Sequence, residues 1–307
     1  MKNCFKMEDN MISIVMATYN GINFIEEQLK SLQNQTLVAD EVIISDDFST
    51  DGTYEFIVDY IRLHNLEKWT VCRNENNLGY SRNFSNVLKK ASGEVIFLAD
   101  QDDIWHEDKV KQMYSIMESN KQIQLLASNP HPFYEGYKPQ KVNYEKFHGS
   151  LIKINRLAAW VKPARPGCTM CIRKNLLEYY DEIWFDGYPH DCLLWGLAVL
   201  RGTAYLFNKD TIEFRRHDNN ASSRMDRTSS NRINRMNRER AIIKNMLDSN
   251  FLSKKEVEFI SRQYEVYCKR IDLLSKKSVI GIVKMIVFLN YYSRKRLWLT
   301  DLYYVLK

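Results

Sequence analysis

The first 130 residues alternate between two apolar patterns, and this alternation constrains the fold more than any other feature of the chain. Four apolar runs are too short to be helices, at residues 12–17, 41–45, 69–73 and 94–99. Between them, apolar residues recur at helical spacing, as Phe24, Leu29 and Leu32 do. Apolar strands that alternate with helices are typical of a parallel sheet covered on both faces. We therefore expect an α/β fold.

Polar loops follow three of these strands, and a parallel sheet brings such loops to one edge. Five acidic residues lie in them: Asp46, Asp47, Asp100, Asp102 and Asp103. Ligands of open parallel sheets bind at this edge. Because clustered carboxylates repel one another, a cation is expected there. Asp100 and Asp102, in a turn just past a strand, can share a Mg²⁺ or Mn²⁺ ion, which would neutralise a departing diphosphate.

Four motifs in this part of the chain together indicate a known family. They are IVMATYNG at 14–21, VIISDDFSTDGT at 42–53, NLGYSRN at 77–83 and ASGEVIFLADQDDIW at 91–105. In order and spacing they resemble the family 2 glycosyltransferases, which have the GT-A fold. The form DQDDIW, the pair His190-Asp191 and the run at 216–220 resemble the bacterial rhamnosyltransferase-like branch of that family.

The resemblance implies a Rossmann-like, mainly parallel sheet with helices on both faces and a C-terminal helical extension. We predict a GT-A catalytic domain over residues 1–228, in which about residues 1–130 bind the nucleotide sugar and about 131–228 bind the acceptor. Residues 229–307 would form the helical region. Late in the catalytic domain, residues 204–208 and 211–215 are predicted as two short strands.

The family's motifs assign donor-binding and metal-binding roles to matching residues. The predicted donor site consists of Thr18, Tyr19, Asn20, Asp46, Asp47, Arg82, Asp100 and Gln101. Asp46 and Asp47 would meet the base and ribose, since carboxylates accept hydrogen bonds from an imide N–H or a hydroxyl. The predicted metal ligands are Asp102, Asp100 and His217. One position departs from the family, because the usual glycine after the Asp-Asp pair is Phe48 here.

Transfer to a hydroxyl needs a general base, and the family has an acidic residue at the position of Asp191. From the residues alone, Asp191 also fits a carboxylate that accepts from free N–H groups at the start of a helix. The predicted acceptor-side residues are Gly167, Cys168, Thr169, His190 and Trp195. The small residues would leave room for a sugar, and His190 would shape the loop rather than ionise. Trp195 would either stack on a sugar ring or pack in the core.

The last 90 residues are first basic and then apolar. Residues 215–240 hold eight arginines against three acidic residues, without the aromatic platform or helix-turn-helix pattern of a nucleic-acid binder. From Ser278, a twelve-residue apolar stretch leads to Arg294-Lys295-Arg296. This composition fits an interfacial membrane anchor, a helix packed on the catalytic domain, or the contact of a homodimer. The scattered cysteines and the absence of a signal-peptide pattern favour a cytoplasmic protein that contacts the inner face of the membrane.

These features predict a metal-dependent, inverting glycosyltransferase, where inversion is implied by the resemblance. The expected cofactor is Mn²⁺ or Mg²⁺, and the expected donor is dTDP-L-rhamnose or a UDP-hexose. The expected acceptor is a saccharide linked to a lipid diphosphate in bacterial surface-polysaccharide synthesis. Two other classes share part of the pattern. A nucleotidyltransferase needs a basic, glycine-rich loop after the first strand, whereas residues 18–23 hold no Lys or Arg. A non-catalytic nucleotide- or sugar-binding module would not need Asp191.

Overall fold

The computed structural model of the protein describes residues 11–134, 149–155, 157–217 and 228–307. The described strands are β1 Ile12–Thr18, β2 Glu41–Asp46, β3 Trp69–Arg73, β4 Val95–Ala99, β5 Ile104–Trp105, β6 Leu125–Tyr134, β7 Leu151–Lys153, β8 Met170–Arg173 and β9 Ala204–Arg216. The described α-helices are α1 Ile25–Gln33, α2 Thr53–Leu63, α3 Tyr80–Lys90, α4 Lys109–Ser119, α5 Tyr180–Ile183, α6 His190–Leu200, α7 Ser229–Asp248, α8 Lys254–Ser275, α9 Val279–Lys284 and α10 Leu297–Leu306. Short 3₁₀ helices cover Leu157–Val161, Gly167–Thr169, Lys174–Leu177 and Met285–Tyr291.

The strands form one sheet in the order β3-β2-β1-β4-β8-β6-β9-β5, with β7 paired to β9. The first four strands are parallel, as the sequence predicts, whereas β8 runs antiparallel to both β4 and β6. Thr18 is in register with Asp46, and Met16 with Ala99. The loops after β1, β2 and β4 therefore emerge at one edge of the sheet.

The central strands are buried because they are apolar on both faces. Ile14, Met16 and Phe97 belong to one core that also takes apolar residues from α1 and α4. Gly93 precedes β4, where an added Cβ would lie 2.4 Å from Ser13 Oγ and 2.7 Å from the carbonyl oxygen of Met11. A larger residue at this position would push the start of β4 away from β1, so this glycine allows the two strands to pair closely.

The chain folds as two compact units. Among the described residues, the first unit comprises residues 11–134, 149–152, 165–176 and 205–216, and the second comprises residues 153–155, 157–164, 177–204, 217 and 228–307. The described residues of 153–164 and 177–204 thus group with the C-terminal helices, and the predicted domain boundary at residue 228 stays a prediction. Hydrogen bonds contribute to this grouping, since Trp160 Nε1 donates to Gln263 Oε1 at 2.6 Å and Asn245 Nδ2 donates to the carbonyl oxygen of Ile183 at 3.0 Å.

One prediction of the late strands is wrong: residues 204–216 form the single strand β9 rather than two short ones. The polar residues between the two apolar runs, 204–208 and 211–215, stay extended because residues on either side of them form hydrogen bonds within the first unit. Asn129 Nδ2 donates to Asn208 Oδ1 at 2.8 Å, and the hydroxyls of Ser128 and Thr211 lie 2.6 Å apart.

The second unit is helical where the sequence predicts helices. Thr228, Ser253 and Ser278 accept hydrogen bonds from backbone N–H groups at the starts of α7, α8 and α9, as N-cap residues do. Ser253 and Glu256 form a complete capping box. Across the described residues, every helix is too short or too polar to cross a bilayer.

Candidate active site

The loop after β1 is held by the side chain of Gln101, the middle residue of the DQDD motif. Gln101 Oε1 accepts from the backbone N–H of Tyr19 at 2.8 Å, and Gln101 Nε2 donates to the carbonyl oxygen of Tyr19 at 3.1 Å. Gly21 makes room for this amide, because an added Cβ would lie 2.5 Å from Gln101 Oε1. Gln101 thereby fixes Tyr19, whose ring is exposed at the sheet edge.

A second set of bonds ties the loop after β1 to the loop after β2. The backbone N–H of Asn20 donates to Ser49 Oγ at 2.9 Å, and Asn20 Oδ1 accepts from the N–H of Thr50 at 2.9 Å. Gly21 N–H donates to Thr53 Oγ1 at 2.9 Å. The two loops therefore form one preorganised wall at the edge where ligands of such sheets bind.

Asp46 and Asp47 are both buried, and each carboxylate is hydrogen-bonded to protein groups. Asp46 accepts from the N–H and hydroxyl of Ser49 at 2.9 and 2.5 Å and from the hydroxyl of Thr18 at 3.1 Å. Asp47 accepts from the N–H groups of Leu78 and Gly79, both at 2.8 Å. Both carboxylates organise this wall, and their contact with base and ribose stays a prediction.

Phe48 adopts φ +65°, a left-handed conformation that bulky side chains rarely take. This geometry accounts for the family's preference for glycine at the position. The Phe48 ring lies 5.1 Å from the guanidinium carbon of Arg73, which also lies 5.3 Å from the Tyr54 ring centroid. Arg73 Nη2 donates to the carbonyl oxygen of Ser49 at 2.5 Å, so the guanidinium anchors the loop from beneath.

The acidic motif after β4 divides into an accessible and an enclosed part. Asp100 and Asp102 are partly exposed, whereas Asp103 is fully buried. Ligand atoms of Asp100, Asp103 and Cys168 lie within 4.8 Å of one another, the one such group found among the described residues. Burial raises the pKa of Asp103 well above its ordinary value, and the charges of Asp100 and Asp102 add to this effect.

The enclosed part is held by groups distant in the sequence. The Cys168 thiol donates to Asp103, and the backbone N–H of Arg215 donates to Asp103 Oδ1 at 3.1 Å. Arg215 Nε donates to the carbonyl oxygen of Asp102 at 2.9 Å, and Arg215 also pairs with Glu27. Lys109 Nζ donates to the carbonyl oxygen of Cys168 at 2.6 Å. These bonds fix the backbone of the motif from behind.

The accessible carboxylates fit a divalent cation, and the enclosed group does not. Burial raises the pKa of the Cys168 thiol well above its ordinary value, and a soft sulfur is not the kind of ligand that Mg²⁺ and Mn²⁺ prefer. Asp100 and Asp102 offer hard oxygen atoms of the kind that Mg²⁺ and Mn²⁺ prefer. The oxygen atoms of Asp100 and Asp102 therefore fit the predicted ion, and the binding of the ion by these two residues stays a prediction.

In the second unit, Asp191 lies in the first turn of α6, and Asp191 Oδ1 accepts from the N–H of Cys192 at 2.9 Å. A carboxylate that accepts from a backbone N–H group at the start of a helix is the alternative to a catalytic role that the sequence left open. The carboxylate is partly exposed and keeps lone pairs for a further partner. Burial lowers the pKa of neighbouring His190 to about 4, so its imidazole is neutral at pH 7, as expected for a residue that shapes the loop.

Comparison with known proteins decides the family. The model of glycosyl transferase family 2 matches residues 13–181, which is more than half of the chain. The chain belongs to this family. A curated relative, dTDP-rhamnosyl transferase RfbG of Shigella flexneri, is 31% identical over 221 residues, covering 67% of this chain and 72% of the relative.

Another relative of this family 2 glycosyltransferase is the UDP-Glc:alpha-D-GlcNAc-diphosphoundecaprenol beta-1,3-glucosyltransferase WfgD of Escherichia coli. It is 29% identical over 146 residues, which cover 46% of this chain and 56% of the relative. The fold is that of S. aureus TarS 1-349 solved with UDP-GlcNAc, at a TM-score of 0.63 and 20% identity over 92% of this chain and 81% of that one. Mannosyltransferase PcManGT of Pyrobaculum calidifontis, solved with GDP-Man and Mn²⁺, gives a TM-score of 0.57 at 15% identity over 96% and 84% of the two chains. The GT-A fold is thereby confirmed.

The predicted acceptor-side residues of this family 2 glycosyltransferase differ in their exposure. Gly167 is partly exposed, whereas Cys168 and Thr169 are fully buried. Trp195 is also fully buried, and its Nε1 donates to the carbonyl oxygen of Ala159 at 2.9 Å. Since no ring face of Trp195 is exposed, the structure does not support its stacking on a sugar, and we assign it to the core of the second unit.

The role predicted for Arg82 in binding the donor and that predicted for His217 in binding the metal stay predictions. Arg82 is exposed in the first turn of α3, and His217 is the residue directly after β9. Asp218, Asn219 and Asn220, which complete the motif at 216–220, lie outside the described residues. Sequence reasoning missed Lys109 and Arg215 entirely. No local pattern distinguishes them from surface cations, because the groups with which they form hydrogen bonds lie more than fifty residues away.

Proposed function

We propose that this glycosyltransferase moves a sugar, with inversion at its anomeric carbon, from a nucleotide-diphospho-sugar to a hydroxyl of a lipid-diphosphate-linked saccharide. The observation that carries the proposal is the pair of accessible carboxylates, Asp100 and Asp102, on a loop whose backbone is fixed from behind by Arg215. Preorganised groups of this kind stabilise charge that develops in a transition state.

In this proposal the chain's own residues orient the donor and move one proton. Tyr19, fixed by Gln101, lines the nucleotide pocket, and Asp46 and Asp47 meet the base and ribose. Asp191 takes the proton from the acceptor hydroxyl. Asp100 and Asp102 would hold Mn²⁺ or Mg²⁺, assisted by His217, and the bound ion would neutralise charge on the leaving nucleoside diphosphate.

The relatives support the substrate classes. RfbG is named as a dTDP-rhamnosyl transferase, and it matches this chain over 72% of its own length. WfgD acts on a sugar linked to diphosphoundecaprenol, as its name states. We therefore propose dTDP-L-rhamnose as donor, with UDP-hexoses next, and a role in bacterial surface-polysaccharide synthesis.

We further propose that the enzyme works in the cytoplasm at the inner face of the membrane. The segment α9 and the 3₁₀ helix after it expose Ile280 and Val287 at 72% and 75%. Lys284 is exposed in the same segment, and Lys277 is exposed two residues before it. Exposed aliphatic side chains flanked by lysines match an anionic lipid surface. The aliphatic side chains insert into the lipid interface, and the lysines are attracted to the anionic headgroups.

The test is donor turnover by the purified full chain. dTDP-L-rhamnose, UDP-glucose and UDP-GlcNAc are each supplied with Mn²⁺ and a decyl-diphospho-GlcNAc acceptor, and release of nucleoside diphosphate is measured. Wild type should turn over at least one donor, and chelation with EDTA should abolish turnover. Asp191→Asn should lower kcat by about 10²- to 10⁴-fold, because a general base contributes that much.

Asp186→Asn is the matched control, because Asp186 is an exposed acidic residue in the loop before α6, five residues before Asp191. It should leave kcat within about twofold of wild type. Donor affinity of Asp191→Asn should be retained, as measured by the donor's effect on thermal stability. An Asp191→Asn enzyme as fast as wild type would remove Asp191 from the mechanism, and a wild type inactive with every donor would refute the proposed reaction.

A further inference from the structure

The loop after β2 carries an aromatic residue where the family usually has glycine. Phe48 directly follows the buried pair Asp46 and Asp47, and it adopts φ +65°. Glycine takes such a left-handed conformation without steric cost, whereas the Cβ of a phenylalanine crowds the backbone. Residues held in costly conformations concentrate at active sites and ligand clamps, so Phe48 is a candidate for contact with a ligand.

Packing within the protein covers only part of the Phe48 side chain. The ring centroid lies 5.1 Å from the guanidinium carbon of Arg73, which is a cation–π contact. Arg73 is itself fixed, because it donates to the carbonyl oxygen of Ser49 at 2.5 Å and pairs with Glu55 at 3.1 Å. Even so, 43% of Phe48 is exposed. The ring is therefore held by Arg73 and still has surface free for a second partner.

A second exposed ring lies beside the Asp47 carboxylate. The N–H of Gly79 donates to Asp47 Oδ2 at 2.8 Å, and the residue after Gly79 is Tyr80, which is 54% exposed. Phe48 is the residue after Asp47 itself. With Tyr19, which is 46% exposed, three large rings face solvent at the edge where ligands of such sheets bind. Exposed rings beside a buried carboxylate match a flat ligand that also donates hydrogen bonds.

Hydrogen bonds between the loops hold Phe48 and Tyr19 in one wall. Ser49, the residue after Phe48, accepts from the backbone N–H of Asn20 at 2.9 Å, and Asn20 is the residue after Tyr19. Asn20 Oδ1 in turn accepts from the N–H of Thr50 at 2.9 Å. The backbone that carries each ring is therefore fixed before a ligand arrives, which lowers the entropic cost of binding.

We propose that Phe48 stacks on the nucleobase of the donor and supplies affinity that a glycine at this position cannot. This inference rests on the proposed function, in which a nucleotide-diphospho-sugar binds at this edge and Asp46 and Asp47 meet its base and ribose. Every nucleobase has a π face that stacks on aromatic rings. Stacking on Phe48 would add to the hydrogen bonds that the carboxylates accept. The bases of the dTDP and UDP donors proposed above are pyrimidines.

Calorimetric titration of the full chain with UDP and with dTDP, in the presence of Mg²⁺, tests this role. Phe48→Asn removes the ring and places at φ +65° a residue that tolerates this conformation. It should weaken the binding of both nucleotides about 5- to 150-fold, the range expected for the loss of one base–aromatic stack. Phe48→Tyr keeps a ring face and should retain nearly all of the affinity.

Tyr303→Asn is the matched control, because it removes a ring that is 54% exposed in the second unit. It should leave the affinity for both nucleotides unchanged. Pyrophosphate with Mg²⁺ is the probe without a base, and its affinity should be the same in Phe48→Asn and wild type. In turnover assays, Phe48→Asn should raise the KM for the donor and leave kcat near that of wild type, because stacking is equal in the ground state and the transition state.

Three results would overturn the inference: unchanged nucleotide affinity in Phe48→Asn, an equal loss of pyrophosphate affinity in that variant, or a Phe48→Tyr variant that binds as weakly as Phe48→Asn. An equal loss with pyrophosphate would show that Phe48 supports the loop rather than the base. A wild type that binds neither UDP nor dTDP would refute the proposed donor class. A wild type that binds both, with Phe48→Asn binding them equally well, would refute the role of Phe48 alone.

Discussion

The Lys109 ammonium donates a hydrogen bond of 2.6 Å to the carbonyl oxygen of Cys168, and both residues are fully buried. The same nitrogen lies 3.8 Å from the centroid of the Trp105 ring. Burial lowers the pKa of Lys109 to about 8, although the charges of Asp103 and Asp100 oppose the shift. The ammonium thus supports, from inside the protein, the motif whose outer carboxylates are proposed to hold the cation.

We predict that Lys109→Met destabilises the protein by about 1–3 kcal/mol, because it leaves the buried carbonyl of Cys168 unpaired. Lys111→Met is the matched control, since Lys111 is exposed two residues later on α4. Its unfolding free energy should change by less than about 0.5 kcal/mol. Urea titrations of both variants measure the difference. Equal effects of the two substitutions would contradict a supporting role for Lys109.

The contrast between Lys109 and Lys111 illustrates what could be predicted from the sequence. The parallel strands and the acidic edge are local patterns, so β1 to β4 and the loop at Asp100 follow from them. The burial of Lys109 follows from Cys168, which is distant in the sequence, and no periodicity predicts such a partner. For the same reason, the pairing of Gln101 with the Tyr19 backbone became visible only in the folded chain.

Phe48 supplies a second prediction, because its φ of +65° penalises most side chains. Asparagine tolerates this conformation and a β-branched residue does not. Phe48→Asn should therefore be more stable than Phe48→Val by about 1 kcal/mol or more, although both lose the ring over Arg73. Val58→Asn, at an exposed position within α2, is the control. It should change the unfolding free energy by less than about 0.5 kcal/mol. Denaturant midpoints of these variants measure the difference. A Phe48→Val protein as stable as Phe48→Asn would contradict backbone strain at this position.

His190 supplies a prediction about pH. Its pKa falls from 6.5 to about 4 on folding because the imidazole is buried. Between these values the unfolded state binds a proton that the folded state does not, so unfolding free energy falls on acidification through this window. The loss is up to about 3 kcal/mol and is absent above pH 6.5, where both states are neutral.

His190→Gln should remove this part of the pH dependence, as urea titrations across the window would measure. His64→Gln, at an exposed position after α2, should keep the wild-type dependence. Effects of other acidic groups are common to all three proteins and cancel in the comparison. A His190→Gln protein with the full wild-type acid sensitivity would contradict the buried neutral state.

Asp301 of α10 joins three helices, because it accepts from Arg232 of α7 at 2.8 Å and from Arg270 of α8 at 2.7 Å. All three side chains are nearly or fully buried. Asp301→Asn should lower the unfolding free energy by about 3–5 kcal/mol, because two guanidinium groups lose their counter-charge. Asp272→Asn, which breaks an exposed pair with Lys276, should cost less than about 1 kcal/mol. Similar losses in both variants would contradict the network's contribution.

This network also determines how the membrane proposal must be tested. Deleting the chain beyond residue 275 would remove Asp301 and leave Arg232 and Arg270 buried and unpaired, so lost membrane binding would merely report unfolding. Point substitutions at exposed positions avoid this problem. The double variant Ile280→Asp, Val287→Asp changes two side chains that are 72% and 75% exposed. Because both already face solvent, folding should be unaffected.

The double variant should lose binding to vesicles that contain phosphatidylglycerol, since carboxylates neither insert into the lipid interface nor are attracted to it. Leu63→Asp is the control, because Leu63 at the end of α2 is also 72% exposed but belongs to the first unit. It should bind vesicles as wild type does, and added salt should weaken wild-type binding because Lys277 and Lys284 contribute charge. If instead wild type ignores vesicles and elutes as a dimer that the double variant breaks, the segment contacts a second copy of the chain and the membrane proposal is wrong.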